Sequence, residues 1–189
     1  MADSQEEKLV SIINEKFEGD IVLVEQLYDF LTITLKSERI IQIIRHLYDH
    51  PDTKFQFLTT LAAIHYTDRA KDRTISGQAS TIVVETTDGP SGEIALMYQL
   101  HNMFTNERVR LKIYLPIENP VVPTLTTVFA AANWMERETY DFYGVIFEGH
   151  PNLKRILNVD EMIIFPMRKE YPLEDQTRED KNDEMFGRP

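Results

Sequence analysis

Glu93-Ile94-Ala95-Leu96-Met97-Tyr98-Gln99-Leu100-His101, followed six residues later by Arg108-Val109-Arg110-Leu111-Lys112-Ile113-Tyr114-Leu115, decides the fold. Ile94, Leu96, Tyr98 and Leu100 fall on one side of the first stretch. Val109, Leu111, Ile113 and Leu115 fall on one side of the second, against Arg108, Arg110 and Lys112. A period of two with one apolar face is the pattern of a half-buried strand. A link this short cannot carry a crossover, so the two strands pair antiparallel.

Working outward, the same logic places further elements. Ser4 with Glu7 has the spacing of a capping box, and Leu9, Ile12, Ile13 and Phe17 follow at helical spacing, which predicts a helix over 5–17. Ile21 to Val24 reads as a short strand. Phe30 to Leu35 reads as a half-buried one, with Leu31, Ile33 and Leu35 inward and Thr32 and Thr34 outward. Ser37 is placed to cap a helix over 38–49, which Pro51 prevents from continuing. Residues 55–67 carry a strand signal, strongest at Ala62–Tyr66. Residues 68–79 read as a polar loop and Thr81–Thr86 as another strand, closed by the turn Asp88-Gly89-Pro90-Ser91-Gly92. A third helix is predicted from Pro123-Thr124 to Phe142, with Gly144 to end it. The expected fold class is α+β: a mostly antiparallel sheet packed by about three helices, with an extended C-terminal tail. The expected organisation is a domain over 1–149 and a docking tail over 150–189. From Lys169 onward four bases face seven acids, a stretch that is either loose or laid on a partner.

Composition removes several function classes. At 189 residues the chain has length for one domain, with about 70% of its surface buried on folding. It has no cysteine, which excludes disulfides, thiolate zinc sites, cysteine nucleophiles and iron–sulfur clusters held by its own thiolates. A net charge of −11 argues against nucleic acid as a partner. The start Met1-Ala2-Asp3-Ser4-Gln5-Glu6-Glu7 has neither a secretory nor a transit character, and no apolar run spans a bilayer, so the expected location is cytoplasmic, with any membrane contact indirect. The seven glycines form no Gly-x-Gly, and no Gly-x-Ser-x-Gly occurs. His46 and His50 have the spacing of a metal pair but lack a third ligand. His65 and His101 sit in strand-like segments and read as surface or core histidines.

The third helix carries the most information. On a helical wheel Leu125, Val128, Phe129, Ala132, Met135, Phe142 and Tyr143 form the core side. Trp134, Arg137, Glu138 and Asp141 fall opposite, with Arg137–Asp141 and Trp134–Glu138 spaced to pair. That face reads either as solvated or, because of its tryptophan, as an interface. Glu136 projects into the apolar stripe. A carboxylate there needs a partner or stays protonated. Either the helix distorts, or a cation such as Arg155 or Arg168 meets Glu136, or the residue merely borders the stripe.

Glu136-Arg137-Glu138-Thr139-Tyr140-Asp141-Phe142-Tyr143-Gly144-Val145, followed by Gly149-His150-Pro151-Asn152-Leu153-Lys154-Arg155-Ile156-Leu157, resembles the signature of the 30 kDa subunit of respiratory complex I, which in bacteria is the C subunit of NADH-quinone oxidoreductase. The resemblance extends over roughly 30–175, through Phe57–Tyr66, Tyr98-Gln99-Leu100 and Arg108–Leu115. Residues 70–92 look like an insertion. Ile164-Phe165-Pro166-Met167-Arg168-Lys169-Glu170-Tyr171-Pro172-Leu173 departs from the family's tail in having Phe165 for a histidine and Glu170 for an aspartate, which puts the role of that histidine in doubt here.

The resemblance implies a non-catalytic subunit of the hydrophilic arm, beside the 49 kDa subunit, peripheral on the cytoplasmic side of the cell inner membrane. NADH, FMN, iron–sulfur clusters and quinone would belong to the complex and none to this chain. The chain's end near residue 189 implies that it is not fused to the 49 kDa subunit. The residues expected to dock or to carry the motif are Trp134, Glu136, Arg137, Glu138, Asp141, His150, Arg155, Arg168 and Lys169. Two readings stand beside this one: a paralogous subunit of a membrane-bound hydrogenase or other quinone-linked dehydrogenase, and a free-standing enzyme using Glu136 or Asp141 as acid or base.

Overall fold

The two alternating stretches pair as the sequence predicts. In the computed structural model, which describes residues 2–27, 30–66 and 92–170, β4 (Glu93–His101) and β5 (Arg108–Pro116) run antiparallel, with Tyr98 opposite Leu111 and His101 opposite Arg108. Around them lie α1 (Ala2–Phe17), β1 (Ile21–Leu27), β2 (Phe30–Leu35), a 3-10 turn (Ser37–Arg39), α2 (Ile40–Asp49) and β3 (Phe57–Tyr66). β6 (Val121–Pro123), α3 (Ala132–Tyr143) and β7 (Ile146–Glu148) follow β5. The five-stranded sheet has the order β1-β2-β5-β4-β3 and is antiparallel except where β2 meets β5. β6 and β7 form a small parallel pair that brackets α3.

One apolar core joins the inward faces of the sheet and helices. Leu9, Ile13 and Phe17 of α1, and Ile40, Ile43, Ile44 and Leu47 of α2, are buried with Ile94, Leu96, Leu100, Leu111 and Ile113 of the sheet. Removing side chains of this size from water is the main driving force of the fold. Thr32 and Thr34, expected outward and wet, are also buried. β2 is an interior strand, and Arg110 and Lys112 stand in register beside these threonines. Lys112 is itself held over the rings of Tyr66 and Tyr114, at 5.3 and 4.8 Å from their centroids.

Some expected boundaries move. α1 begins before Ser4, so Ser4 is not its cap, and Ser37 lies inside the 3-10 turn that precedes α2. The loop over 68–79 and the strand over Thr81–Thr86 lie outside the described residues. The largest correction concerns α3. It starts at Ala132, not near Thr124, and ends at Tyr143 with Gly144 left-handed at φ 76°. Residues 124–131 form turns, with Val128 and Phe129 both donating to Leu125 O. Thr126, Thr127 and Val128 are β-branched and poor helix formers. The chain here folds around a buried side chain of α3 instead.

Candidate functional site

That side chain is Glu136, which has no exposed surface. Its Oε2 receives the Thr124 hydroxyl at 2.5 Å and its Oε1 the Leu125 backbone N–H at 2.6 Å. The expected cation does not arrive: Arg155 and Arg168 are both engaged elsewhere. The nearest basic group is His150, whose Nε2 is 3.9 Å from Oε2. His150 accepts the Asn152 N–H at Nδ1, so its proton sits on Nε2, where it donates to Asn133 O. Burial pushes the Glu136 carboxyl up to about 7, against the downward pull of its bonds from Thr124 and Leu125.

Asp141 overturns the wheel more sharply. The wheel places it on the outer face, paired with Arg137, yet it too is fully buried. Its Oδ2 accepts three successive backbone N–H groups, from Ile156, Leu157 and Asn158, at 2.8–3.0 Å. Its Oδ1 accepts from Arg155 Nη1 at 2.8 Å and from the Asn158 amide at 3.0 Å. Burial raises a carboxyl, but the N–H groups of Asn158 and Leu157, the Asn158 amide and Arg155 outweigh it and hold Asp141 well below the usual carboxylate range. Arg137 turns instead to the carbonyls of Lys154 and Arg155, and its guanidinium lies 4.9 Å from the Trp134 ring centroid.

The segment after β7 is therefore fastened along α3 by a series of contacts. His150 meets Asn133 O at the first turn, Arg137 meets 154–155, and Asp141 meets 155–158. At the C-terminus of α3, Met167 N–H donates to Phe142 O and Arg168 Nε to Tyr143 O. These satisfy carbonyls that a helix end leaves without partners. Lys169 N–H donates to His65 Nδ1 on β3. Phe165 is a packing centre. The guanidiniums of Arg155 and Arg168 lie 5.1 and 4.8 Å from its ring centroid, and Tyr140 meets it edge-on. Gly144 makes room for it, since a Cβ there would come within 2.6 Å of the ring.

Of the expected site residues, Trp134, Glu138 and Lys169 are exposed, and Arg137, His150, Arg155 and Arg168 are half-buried. Glu136 and Asp141 face inward and cannot touch a partner directly. Sequence reasoning missed Asn158, Thr124 and Tyr98. The first two carry no periodicity signal, and Tyr98 read only as core. It also missed an apolar outer side: Leu157, Val159, Ile163, Ile164 and Met167 are exposed, Ile163 to 91%. His46 and His50 contact each other edge-to-face rather than converging on one point. Among the described residues no cluster of three or more His, Asp or Glu could hold a metal, and no helix is long and apolar enough to cross a membrane.

Residues 33–177 match the family described as the respiratory-chain NADH dehydrogenase 30 kDa subunit. The chain is 30% identical over 167 residues to the C subunit of NADH-quinone oxidoreductase from Geobacter metallireducens, covering 88% of this chain and 90% of that one. To the same protein of Coxiella burnetii (strain Dugway 5J108-111) it is 29% identical over 180 residues, 90% of this chain and 79% of that one. Among solved structures, a trypsin-resistant fragment of Nqo5 superposes with a TM-score of 0.55 at 26% identity, covering 78% of this chain and 98% of the fragment. A chain of the membrane-bound sulfane sulfur reductase, an archaeal respiratory membrane complex, shares the fold with a TM-score of 0.64 at 21% identity, over 94% and 97% of the two chains. The α+β sheet, the Glu136–Leu157 signature and these matches agree: the chain belongs to the 30 kDa subunit family of respiratory-chain NADH dehydrogenase.

Proposed function

We propose that the chain is a non-catalytic structural subunit of the hydrophilic arm of a proton-translocating NADH-quinone oxidoreductase, supporting electron transfer from NADH to quinone by the whole complex. Its docking surface is the outer side of the fastened segment, with Leu157, Val159, Ile163 and Met167, together with Trp134, Arg137 and Glu138 of α3. Residues 150–189 are then the docking unit and 1–149 its scaffold; 171–189 lie outside the described residues. The partner is the 49 kDa subunit, on the cytoplasmic side of the inner membrane, and membrane contact is through that partner. The isolated chain is inactive and binds no cofactor; NADH, FMN, iron–sulfur clusters and quinone belong to the complex.

One observation carries this reading: a segment fastened by Arg155 and Asp141 presents five large apolar side chains to solvent. Soluble monomers rarely expose such a set together, whereas interfaces do. The test is co-expression of the full chain with the 49 kDa subunit and affinity purification. Leu157→Asp with Ile163→Asp should cut recovery of the 49 kDa subunit at least tenfold and leave the melting temperature unchanged. Undiminished recovery overturns the docking assignment. The likeness to a chain of an archaeal respiratory membrane complex keeps a paralogous assembly as the second reading, and membrane-bound hydrogenase subunits in the eluate would favour it.

A further inference from the structure

We propose that Glu136 is a protonation-dependent lock, whose single proton sets how the turns at 124–126 and 149–152 are held on α3. The geometry of three hydroxyl and carboxyl groups carries the argument. Thr124 Oγ1 lies 2.5 Å from Glu136 Oε2 and 2.9 Å from Thr126 Oγ1, and it accepts the Thr126 N–H. A threonine hydroxyl has one proton to give. With Glu136 ionised, that proton points to Oε2, and the Thr126 hydroxyl donates back to Thr124. With Glu136 protonated, Oε2–H donates to Thr124, and the Thr124 proton turns outward to Thr126. One proton, taken from solvent or returned to it, reverses two hydrogen bonds. The chain of groups runs from the buried interior to the half-buried Thr126.

The ionised form also acts on two further groups. The Tyr98 hydroxyl on β4 is buried without a hydrogen-bond partner, and its phenol is pushed up by burial first and by the Glu136 charge second. His150 Nε2–H stands 3.9 Å away, spent on Asn133 O. A negative charge at Glu136 draws both. Turning His150 toward Glu136 releases Asn133 O, and with it the contact where the fastened segment first meets α3. Other ionisable groups of the neighbouring elements are committed elsewhere: Arg155 to Asp141, Arg168 to Tyr143 O, and His65 to the Lys169 N–H. A carboxyl raised to about 7 places the change inside the physiological range. The lock acts within one chain, so its test does not depend on the docking reading.

The experiment is an NMR titration of the isotopically labelled full chain from pH 5 to 9. The Glu136 carboxyl and the Leu125, Thr126 and Asn152 amides should move together, with one midpoint near 7. Glu136→Gln should abolish that midpoint at Leu125 and Thr126. Thr124→Val removes a donor to the ionised form and should raise the midpoint by about one unit. A midpoint below pH 5 in the wild-type chain, or one that Thr124→Val leaves in place, overturns the lock. An Asn152 amide that stays constant through the Glu136 midpoint overturns the link to the 149–152 turn.

Discussion

Glu136 and Asp141 sit on the same helix, both without exposed surface, and the protein treats them in opposite ways. Asp141 receives three backbone N–H groups, an amide and a guanidinium. Glu136 receives one hydroxyl and one N–H. Burial is common to both, so burial does not set the charge. The supply of donors does: Asp141 is held ionised far into acid, while Glu136 is driven toward its neutral form near neutrality. The two regions accordingly have different duties. Asp141 anchors a segment permanently, and Glu136 ties the 124–126 turn with a bond that pH can alter.

The comparison is most exposed to Asp141→Asn. It keeps the shape but leaves Arg155 buried without its counter-charge, and should cost about 3–5 kcal/mol in urea unfolding, with faster proteolysis between 157 and 167. A loss under ~1 kcal/mol would put the two carboxylates on equal footing. Next comes Glu136→Gln across pH. The folded-state pKa of Glu136 is raised from 4.5 to about 7, so its contribution is complete below 4.5 and is lost as pH rises through 7. The stability gap between variant and wild type should therefore change by on the order of 3 kcal/mol between pH 4.5 and 8. A constant gap would mean that Glu136 ionises freely. Gly144→Ala tests the Asp141 side by another route. At φ 76°, with the Phe165 ring 2.6 Å from the new Cβ, it should cost about 1–3 kcal/mol and leave the Glu136 titration in place. Trp134→Ala belongs to neither region. It should change stability by no more than about 1 kcal/mol, while weakening recovery of the partner.

The strands were the most legible part. β4 and β5 announce themselves because every second residue is a large apolar side chain turned to the core, and α2 because its stripe of isoleucines has one period. What escaped the sequence lies where a regular element meets an irregular one. The wheel sends Asp141 outward because the layer that covers it, 150–168, has no repeat to read. It sends α3 back to Thr124 because Leu125, Val128 and Phe129 keep helical spacing although a tertiary bond from Glu136 holds them in turns. The misfit of Glu136 in its stripe was legible; the neutral donors that answer it were not, since hydroxyls and backbone N–H groups leave no mark in a charge pattern. The parallel meeting of β2 and β5 also left no local trace, because strand order is a property of the whole chain.

Arg155 does more than pair with Asp141. Its Nη2 also donates to Met162 O at 2.8 Å and to Ile164 O at 3.0 Å, so one guanidinium closes loops spanning seven and nine positions. In a chain without cysteine, that side chain is the cross-link. Unlike a disulfide it does not persist in the unfolded chain; it fixes the native course of 155–164 through charge-assisted bonds to two carbonyls and an ion pair with Asp141. The cross-link itself therefore depends on no thiol–disulfide couple, and its weak point is acid strong enough to protonate Asp141.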